Sequence, residues 1–149
     1  KTVVLLSDGE LNEGSNWEAF MYASHKNLKN MTFILDKNNI QSLTTTKNTV
    51  DMGDLRKKFT AFGLDTYEVN GHDISQIRST LNVKTQCPKM IIANTVKGKG
   101  SALIENKVLW HYKSEEGGLS TPGCGDTQLN GHGSPQLVSG GLFGSAFNF

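Results

Sequence analysis

The sequence predicts an α/β fold built on a doubly wound parallel sheet, and three observations lead to this prediction. Short apolar runs alternate with segments of helical periodicity, the connections between them are short, and the first apolar run is continuous rather than alternating. A continuous apolar run is typical of a parallel strand that is buried on both faces. Strands that are joined through helices form parallel sheets with right-handed crossovers.

The first strand–helix–strand unit is predicted at the start of the chain. Lys1 to Ser7 contains the apolar run Val3-Val4-Leu5-Leu6 and is predicted to be a strand. Ser15 and, three residues later, Glu18 have the spacing of a capping box, which predicts the start of a helix that Asn30 ends. The apolar stripe of this helix consists of Trp17, Phe20, Met21, Ser24 and Leu28. Thr32 to Leu35 is the second predicted strand, and a polar loop follows from Asp36 to Ser42.

The pattern then repeats with two more helices and two more strands. Asp51 or Asp54 can cap a helix that Gly63 ends, and Asp73, with Gln76 three residues later, opens another. The apolar positions of these helices are Leu55, Phe59, Phe62, Ile74, Ile77 and Leu81. The strands are predicted at residues 66–69 and 90–93.

The two ends of the chain differ from this regular part. The chain begins at Lys1, without a Met, and enters a strand within two residues, so we expect it to be truncated at both ends. Nine of the 16 glycines lie in residues 115–149, which show no sustained period. We therefore expect a partial domain over residues 1–114 and a Gly-rich irregular or disordered tail over residues 115–149.

Composition excludes several classes of function. The 149 residues suffice for one domain with its own core, and 15 Lys and Arg balance 14 Asp and Glu, which argues against nucleic-acid binding. No apolar run approaches the roughly 20 residues that span a membrane, and no signal-peptide pattern opens the chain. Cys87 and Cys124 lie far apart and indicate neither a zinc site nor a disulfide framework. We therefore expect a cytoplasmic protein.

A candidate cation site lies where the first two predicted strands end. Asp8 follows the first strand and Asn38 follows the second, one strand–helix–strand repeat later. Ligands of open parallel sheets bind beyond the carboxyl ends of the strands, and Mg²⁺ prefers carboxylate and amide oxygens shared with phosphate and water. Gly9 allows a phosphate to approach the backbone, and the helix N-terminus near Ser15 adds partial positive charge.

Five segments, taken together, resemble the thiamine diphosphate motif and the adjoining motifs of transketolases. They are Asp8-Gly9-Glu10-x-x-Glu13-Gly14-x-x-Trp17-Glu18-Ala19, Asp36-x-Asn38-Asn39, Asn70-Gly71-His72-Asp73, Thr95-Val96-Lys97-Gly98-Lys99-Gly100 and Trp110-His111. They follow the order of that family over about residues 2–113. The resemblance implies a Rossmann-like thiamine diphosphate-binding fold, the half that binds the diphosphate. Two positions depart from the family, because Ser7 replaces the commoner glycine and Tyr112 follows His111 where many relatives have glycine.

The resemblance also implies roles for individual residues. Asp8, the Asn38 side chain and the Ile40 carbonyl match the metal ligands. Gly9 and Glu10 belong to the cofactor-binding set, in which Gly9 contacts the diphosphate. Glu13 matches a carboxylate between the two active sites of the family's dimer, and His111 resembles a catalytic and cofactor-binding histidine near the reacting carbon.

Plainer interpretations of these residues stay open. Asp8 can cap a turn, and Glu13 can simply complement the helix dipole. His72 is interpreted as a loop residue before the Asp73 cap. The side chains of Lys97 and Lys99 meet either phosphate or water, and we favour water.

The implied function is transfer of a two-carbon ketol unit between sugar phosphates, with thiamine diphosphate and Mg²⁺ or another divalent cation. The resemblance further implies that the partner is a pyrimidine-binding domain or C-terminal subunit, in a dimer or heterotetramer, without which the chain is inactive. Three alternatives remain. They are another thiamine diphosphate enzyme (deoxyxylulose phosphate synthase or a keto-acid dehydrogenase component), a degenerate, non-catalytic fragment of this fold, and an unrelated nucleotide binder. The lack of a G-x-G-x-x-G or Walker pattern counts against the last.

Overall fold

A computed structural model describes residues 1–111 of the chain. In chain order its elements are β1 (Thr2–Ser7), α1 (Gly14–His25), β2 (Met31–Lys37), β3 (Ile40–Gln41), β4 (Thr44–Thr45), α2 (Thr46–Thr49), α3 (Leu55–Ala61), β5 (Asp65–Asn70), α4 (Ile74–Asn82) and β6 (Lys89–Asn94). Two 3₁₀ helices lie at Gly9–Asn12 and Val108–His111. The Gly-rich segment 115–149 and Cys124 lie outside the described residues.

The four long strands form one parallel sheet in the order β1-β2-β6-β5. In register, Ser7 lies opposite Asp36, and Lys37 and Asn70 both lie opposite Asn94. The carboxyl ends of all four strands therefore meet at one edge, which we call the rim. This sheet confirms the predicted α/β fold class.

Helices cover both faces of the sheet, as a doubly wound fold requires. On one face α1 and α3 bury a cluster made of Leu6, Leu11, Phe20, Ala23, Phe33, Leu35, Leu55, Phe59, Leu64, Met90 and Ile92. On the other face α4 packs its Ile77 against Ile34, Val69, Ile91 and Ala93. The apolar centres of β2 (residues 33–35) and β6 (residues 90–93) contribute side chains to both clusters, which explains why these runs do not alternate.

The start of α1 corrects the predicted capping box. The helix begins at Gly14 with Glu13 in the N-cap position and no side-chain cap, so Ser15 and Glu18 lie inside the helix. The 3₁₀ turn just before it leads the chain directly into the helix, and the Asn16 side chain ties the two by donating to the Glu10 carbonyl at 2.7 Å. Met21 also departs from the predicted stripe, because half of it is exposed whereas Phe20 is buried.

The predicted end of α1 is also wrong, because the helix ends at His25 and not at Asn30. The predicted ends of the later helices are confirmed. The Asp54 carboxylate accepts the Lys57 N–H at 3.0 Å at the start of α3, and Asp73 caps α4. Gly63 ends α3 with a φ of 83°, and a side chain there would collide with the Ser24 hydroxyl. Glycine is required at such a position because it adopts positive φ without a steric penalty.

A buried lysine joins the start of β6 to the end of α4. The Lys89 ammonium donates to the carbonyls of Val83 at 2.6 Å, Thr80 at 2.8 Å and Leu81 at 3.2 Å. Burial lowers the pKa of this ammonium, and the nearby charge of Lys1 lowers it further. A cation at a helix C-terminus complements the helix dipole and satisfies its last carbonyls.

Within residues 1–111, no helix has the length and apolar character needed to cross a membrane.

Candidate functional site

The predicted pair Asp8 and Asn38 lies at one place on the rim. Because β1 and β2 are neighbours in register, the Asp8 N–H donates to the Asp36 carbonyl at 3.1 Å. The Asp8 carboxylate accepts the Asn39 N–H at 2.5 Å through Oδ2 and also interacts with the backbone N–H of Asn38. The turn after β2 is therefore wrapped around the carboxylate that follows β1.

Asp8 is buried and incompletely satisfied. Only 5% of the residue is exposed, and its Oδ1 has no hydrogen-bond partner among residues 1–111. Its pKa is raised from 3.8 to about 6, chiefly by burial and in addition by the nearby Asp36 carboxylate, against the lowering effect of the backbone N–H groups around it. A buried carboxylate oxygen without a partner is costly, and a cation would relieve that cost.

Asn38 and Ile40 shape the second half of the pocket around Asp8. The Asn38 Oδ1 accepts the Ile40 N–H at 2.9 Å, and Asn39 between them has a φ of 63°. The Asn38 side chain also acts to lower the pKa of the neighbouring Asp36 carboxylate, which accepts a hydrogen bond from the Thr95 hydroxyl. A carboxylate attracts the amide nitrogen and not the amide oxygen, so Asp36 favours the orientation in which the Asn38 Oδ1 faces the Ile40 N–H.

Gly9 and Glu10 lie in the 3₁₀ turn after Asp8. A Cβ at Gly9 would lie 3.3 Å from the Gln41 Cβ, so the space between these two residues is narrow and the glycine leaves it unfilled. The Glu10 carboxylate is directed back to β1, where its Oε2 accepts the Ser7 N–H at 2.6 Å and the Ser7 hydroxyl at 2.9 Å. The serine that replaces the family's commoner glycine thus binds Glu10.

Glu13 lies at the N-terminus of α1 and is exposed to solvent. This placement serves both interpretations of the sequence, because an anion there complements the helix dipole and is also accessible to a second chain.

Lys97 and His111 complete the site from the side of β6. Burial lowers the pKa of the Lys97 ammonium, and the carboxylates of Asp36 and Asp8 counteract this effect. Burial also lowers the pKa of His111, and the Lys97 charge adds to that effect. The 3₁₀ helix that ends in His111 packs against β3. The Lys97 ammonium is therefore within electrostatic range of both carboxylates and of the imidazole.

Lys97 is partly buried, whereas the sequence favoured a side chain that meets water. The available signal was position, because Lys97 follows β6 by three residues and β6 lies next to β2 in the sheet. Strand order is a tertiary property, so the sequence alone did not show which strand end adjoins Asp8. Lys99, by contrast, is exposed as expected.

The site suits a divalent cation together with a diphosphate. Among residues 1–111, no three His, Cys, Asp or Glu side chains form a cluster that would hold a metal ion by themselves. A cation at Asp8 would therefore depend on amide, carbonyl and ligand oxygens, which is the usual way in which Mg²⁺ is bound with phosphates. The Lys97 ammonium would add a second positive charge for the same anion.

Comparison with known proteins gives a consistent result. Residues 1–114 match the family described as transketolase, thiamine diphosphate binding domain. The chain is 42% identical over 119 residues to one subunit of the apulose-4-phosphate transketolase of Actinobacillus succinogenes, covering 78% of this chain and 43% of that protein. It is 38% identical over 109 residues to human transketolase, covering 73% of this chain and 18% of that protein.

The fold is also similar to solved structures. The crystal structure of transketolase from Campylobacter jejuni superposes with a TM-score of 0.68 at 31% identity, covering 72% of this chain and 17% of that one. This chain therefore spans less than half the length of these relatives.

Proposed function

Because this chain belongs to the transketolase family, of which it contains a thiamine diphosphate-binding domain, we propose that it binds the diphosphate through a divalent cation at Asp8. The Asn38 side-chain oxygen and the Ile40 carbonyl would complete the protein's share of the ligands, with Mg²⁺ as the expected ion. The observation that carries this proposal is the buried Asp8 Oδ1, which lacks a partner among the described residues and lies beside the 38–40 turn.

Other residues at the rim have distinct tasks toward the same ligand. Gly9 keeps the backbone accessible to a phosphate, and the Lys97 ammonium offsets negative charge that the cation leaves. Ser7 holds the Glu10 carboxylate, so that this anion is turned away from the diphosphate rather than repelling it. His111 would face the reacting end of the cofactor, and Glu13 would face a second chain.

The proposed reaction is transfer of a two-carbon ketol unit from one sugar phosphate to another. When bound, thiamine diphosphate supplies the carbanion chemistry, and the protein supplies binding, orientation and charge neutralisation. Two relatives belong to enzymes named apulose-4-phosphate transketolase, which makes apulose 4-phosphate a candidate substrate.

The same relatives support a partner for this chain. Each of them is named as one lettered subunit of its enzyme, which implies at least one other subunit. We propose that a chain with the pyrimidine-binding domain completes the active site in a dimer or heterotetramer. The 149-residue chain alone should then bind cofactor without catalysing ketol transfer.

Titration calorimetry tests the binding part of this proposal. We expect thiamine diphosphate to bind the 149-residue chain in the presence of Mg²⁺ and to lose most of its affinity in EDTA, while unphosphorylated thiamine should not bind in either condition. Affinity that is equal with and without divalent cation would contradict the metal site. Absence of binding at millimolar ligand would favour a degenerate fragment that has kept the fold alone.

Ketol-transfer assays test the catalytic part. The chain should be inactive alone and active when it is mixed with a pyrimidine-domain partner, thiamine diphosphate and Mg²⁺. Activity of the purified chain by itself would show that the proposed partner is not required.

A further inference from the structure

The side chain of His72 makes a contact that its position in a loop did not suggest. His72 follows β5, and its Nε2 accepts the Val96 N–H at 2.8 Å, 24 residues further along the chain. An imidazole nitrogen that accepts a hydrogen bond carries no proton, so the ring is neutral and its proton resides on Nδ1.

The contact depends on a close approach of two strand ends. The Gly71 N–H donates to the Asn94 carbonyl at 2.8 Å. A side chain at Gly71 would collide with the Thr95 methyl group and would lie 3.2 Å from both the Ala93 Cβ and the Asn94 carbonyl. Glycine at this position therefore lets the turn after β5 lie directly against the turn after β6.

Val96 begins a loop that is closed on itself. The Asn106 N–H donates to the Lys97 carbonyl at 2.9 Å, and Gly98 has a φ of 68° and packs so tightly that a Cβ there would lie 2.9 Å from Ile104. These contacts join the two ends of residues 96–107, the segment that carries Lys97 and leads into the 3₁₀ helix with His111. We call it the lysine loop.

The lysine loop is tied to the sheet from two sides. Towards β2, the Thr95 N–H donates to the Lys37 carbonyl at 3.0 Å, and the Thr95 hydroxyl bonds to Asp36. Towards β5, the bond from Val96 to His72 is the tie. Loss of the second tie leaves the loop free to pivot about Thr95, which would move the adjacent Lys97.

We propose that His72 is a positioning residue, whose neutral imidazole anchors the lysine loop and so holds Lys97 beside Asp8 and Asp36 for the diphosphate. The link to the diphosphate rests on the function proposed above, whereas the anchoring of the loop does not.

The surroundings of His72 keep it in the accepting form. Burial lowers the pKa of its imidazole and the Lys99 ammonium lowers it further, while the carboxylates of Asp36 and Glu105 act in the opposite direction. The net pKa lies below the ordinary value for histidine, so the neutral ring predominates at neutral pH.

Two substitutions separate anchoring from simple packing. In His72→Gln the amide oxygen can accept the Val96 N–H and does not titrate, whereas His72→Phe keeps a ring of similar shape and accepts nothing. In calorimetry with Mg²⁺ and thiamine diphosphate at neutral pH, we expect the Gln variant to bind within about threefold of the wild type. The Phe variant should bind about tenfold more weakly, as supporting contacts around ligand sites commonly do when lost.

Cofactor affinity measured at a series of pH values distinguishes a hydrogen-bonding histidine from one that only fills space. The affinity of the wild type should fall relative to the His72→Gln variant as the pH falls through the range in which the imidazole gains its proton, because a protonated ring cannot accept. Both proteins retain Asp8, so titration of that carboxyl affects them equally and cancels in the ratio.

Nitrogen NMR of the ligand-free chain tests the anchor independently of cofactor binding. We expect His72 to carry its proton on Nδ1, and we expect the Val96 amide signal to shift as the ring protonates. An Nε2–H tautomer would overturn the proposal, as would equal affinities of the wild type and the Phe variant, or equal losses in both variants. If neither the wild type nor any variant binds the cofactor, the proposed function fails, but the tautomer of His72 still tests whether its ring anchors the lysine loop. If His72→Phe does not fold, the Gln comparison and the tautomer decide.

Discussion

Two aspartates at the same edge of the sheet occupy similar places in the sequence and very different environments. Asp8 lies between β1 and α1, and Asp73 lies between β5 and α4. The Asp73 carboxylate accepts the N–H groups of Ser75 at 2.9 Å and Gln76 at 3.1 Å, together with the Gln76 side chain at 2.9 Å. Asp8 Oδ1 has no hydrogen-bond partner among residues 1–111, and its pKa is raised where that of Asp73 is lowered.

The difference shows how a capping aspartate can be distinguished from one that we propose to bind a ligand. At Asp73 the helix starts with the next residue, so its free N–H groups satisfy the carboxylate at once. After Asp8 the 3₁₀ turn Gly9–Asn12 intervenes, and the N-cap position of α1 falls on Glu13, whose side chain makes no cap hydrogen bond. The fold therefore leaves one carboxylate oxygen of Asp8 without a hydrogen-bond partner among residues 1–111, whereas the carboxylate of Asp73 is hydrogen-bonded by the helix that follows it.

The largest effect is expected from Asp8→Asn, which keeps the shape of the side chain and removes its charge. Affinity for thiamine diphosphate in Mg²⁺ should fall by about 100-fold, since a contact to a charged group contributes about 1.5–3 kcal/mol. Calorimetry measures this effect, and Asp73→Asn is the matched control, which should bind as the wild type does. Equal losses in both variants would show that the two aspartates do not differ in the proposed way.

The pH dependence of stability should have opposite signs at the two aspartates. The pKa of Asp8 rises from 3.8 in the unfolded chain to about 6 in the folded one. Between about pH 4 and pH 6 the folded chain keeps the Asp8 carboxyl proton that the unfolded chain has lost. The stability of the cation-free chain therefore falls by about 3 kcal/mol as the pH rises through that range. At Asp73 the folded pKa is lowered, so its contribution is present above the unfolded pKa and is lost as the pH falls through the folded pKa.

Urea unfolding in EDTA at a series of pH values checks both signs. The difference between the wild type and Asp8→Asn isolates the first aspartate from Asp36, whose pKa is also raised by burial. A difference that does not change with pH would contradict the raised pKa of Asp8.

A smaller effect is expected from Thr95→Val, which removes the hydroxyl that binds Asp36. We expect a loss of about 1–2 kcal/mol in the free energy of unfolding, and cofactor affinity several-fold below wild type, because Asp36 orients Asn38. Thr66→Val is the control, since the Thr66 hydroxyl bonds to the Leu64 carbonyl at 3.1 Å and is not part of the rim. Thr66→Val should lower stability and leave affinity unchanged. If the Thr95→Val variant bound the cofactor with the affinity of the wild type, Asp36 would not contribute to cofactor binding.

The smallest effect on ligand binding is expected at Asp73. Asp73→Ala removes the cap of α4 and should lower the midpoint of thermal unfolding by a few degrees, whereas Asp73→Asn retains an accepting oxygen and should change it less. Differential scanning calorimetry measures the midpoint, and titration with thiamine diphosphate should show unchanged affinity for both. A loss of affinity in Asp73→Ala would link α4 to the cofactor site directly.

The sequence predicted those features of the fold that depend on interactions between residues close together in the chain. The Asp73–Gln76 spacing predicted a cap that the structure confirms, because a cap is made within four residues. The four strands were predicted within one or two residues, since each of β2 and β6 has a continuous apolar run at its centre. The Ser15–Glu18 pattern was misleading because the preceding 3₁₀ turn, not the cap residue, set the start of α1.

Other features depend on tertiary contacts and left no local signal. The short strand β3 lies within the polar loop that was predicted from Asp36 to Ser42. Its partner β4 and the short α2 follow in residues for which the sequence predicted no element, a stretch of threonines and asparagines without clear period. The roles of Lys97 and His72 follow from the order β1-β2-β6-β5, in which the last strand in sequence inserts between two earlier ones.

The Lys89 ammonium, enclosed by three carbonyls, makes this chain unevenly reactive toward amine-modifying reagents. A lysine that is 3% exposed and whose donors are all engaged should be acylated far more slowly than exposed lysines such as Lys57. The rate at which Lys89 is acylated then reports how often α4 detaches from β6. Mass spectrometry of the peptide that contains Lys89 therefore measures the rate of local opening of the native fold.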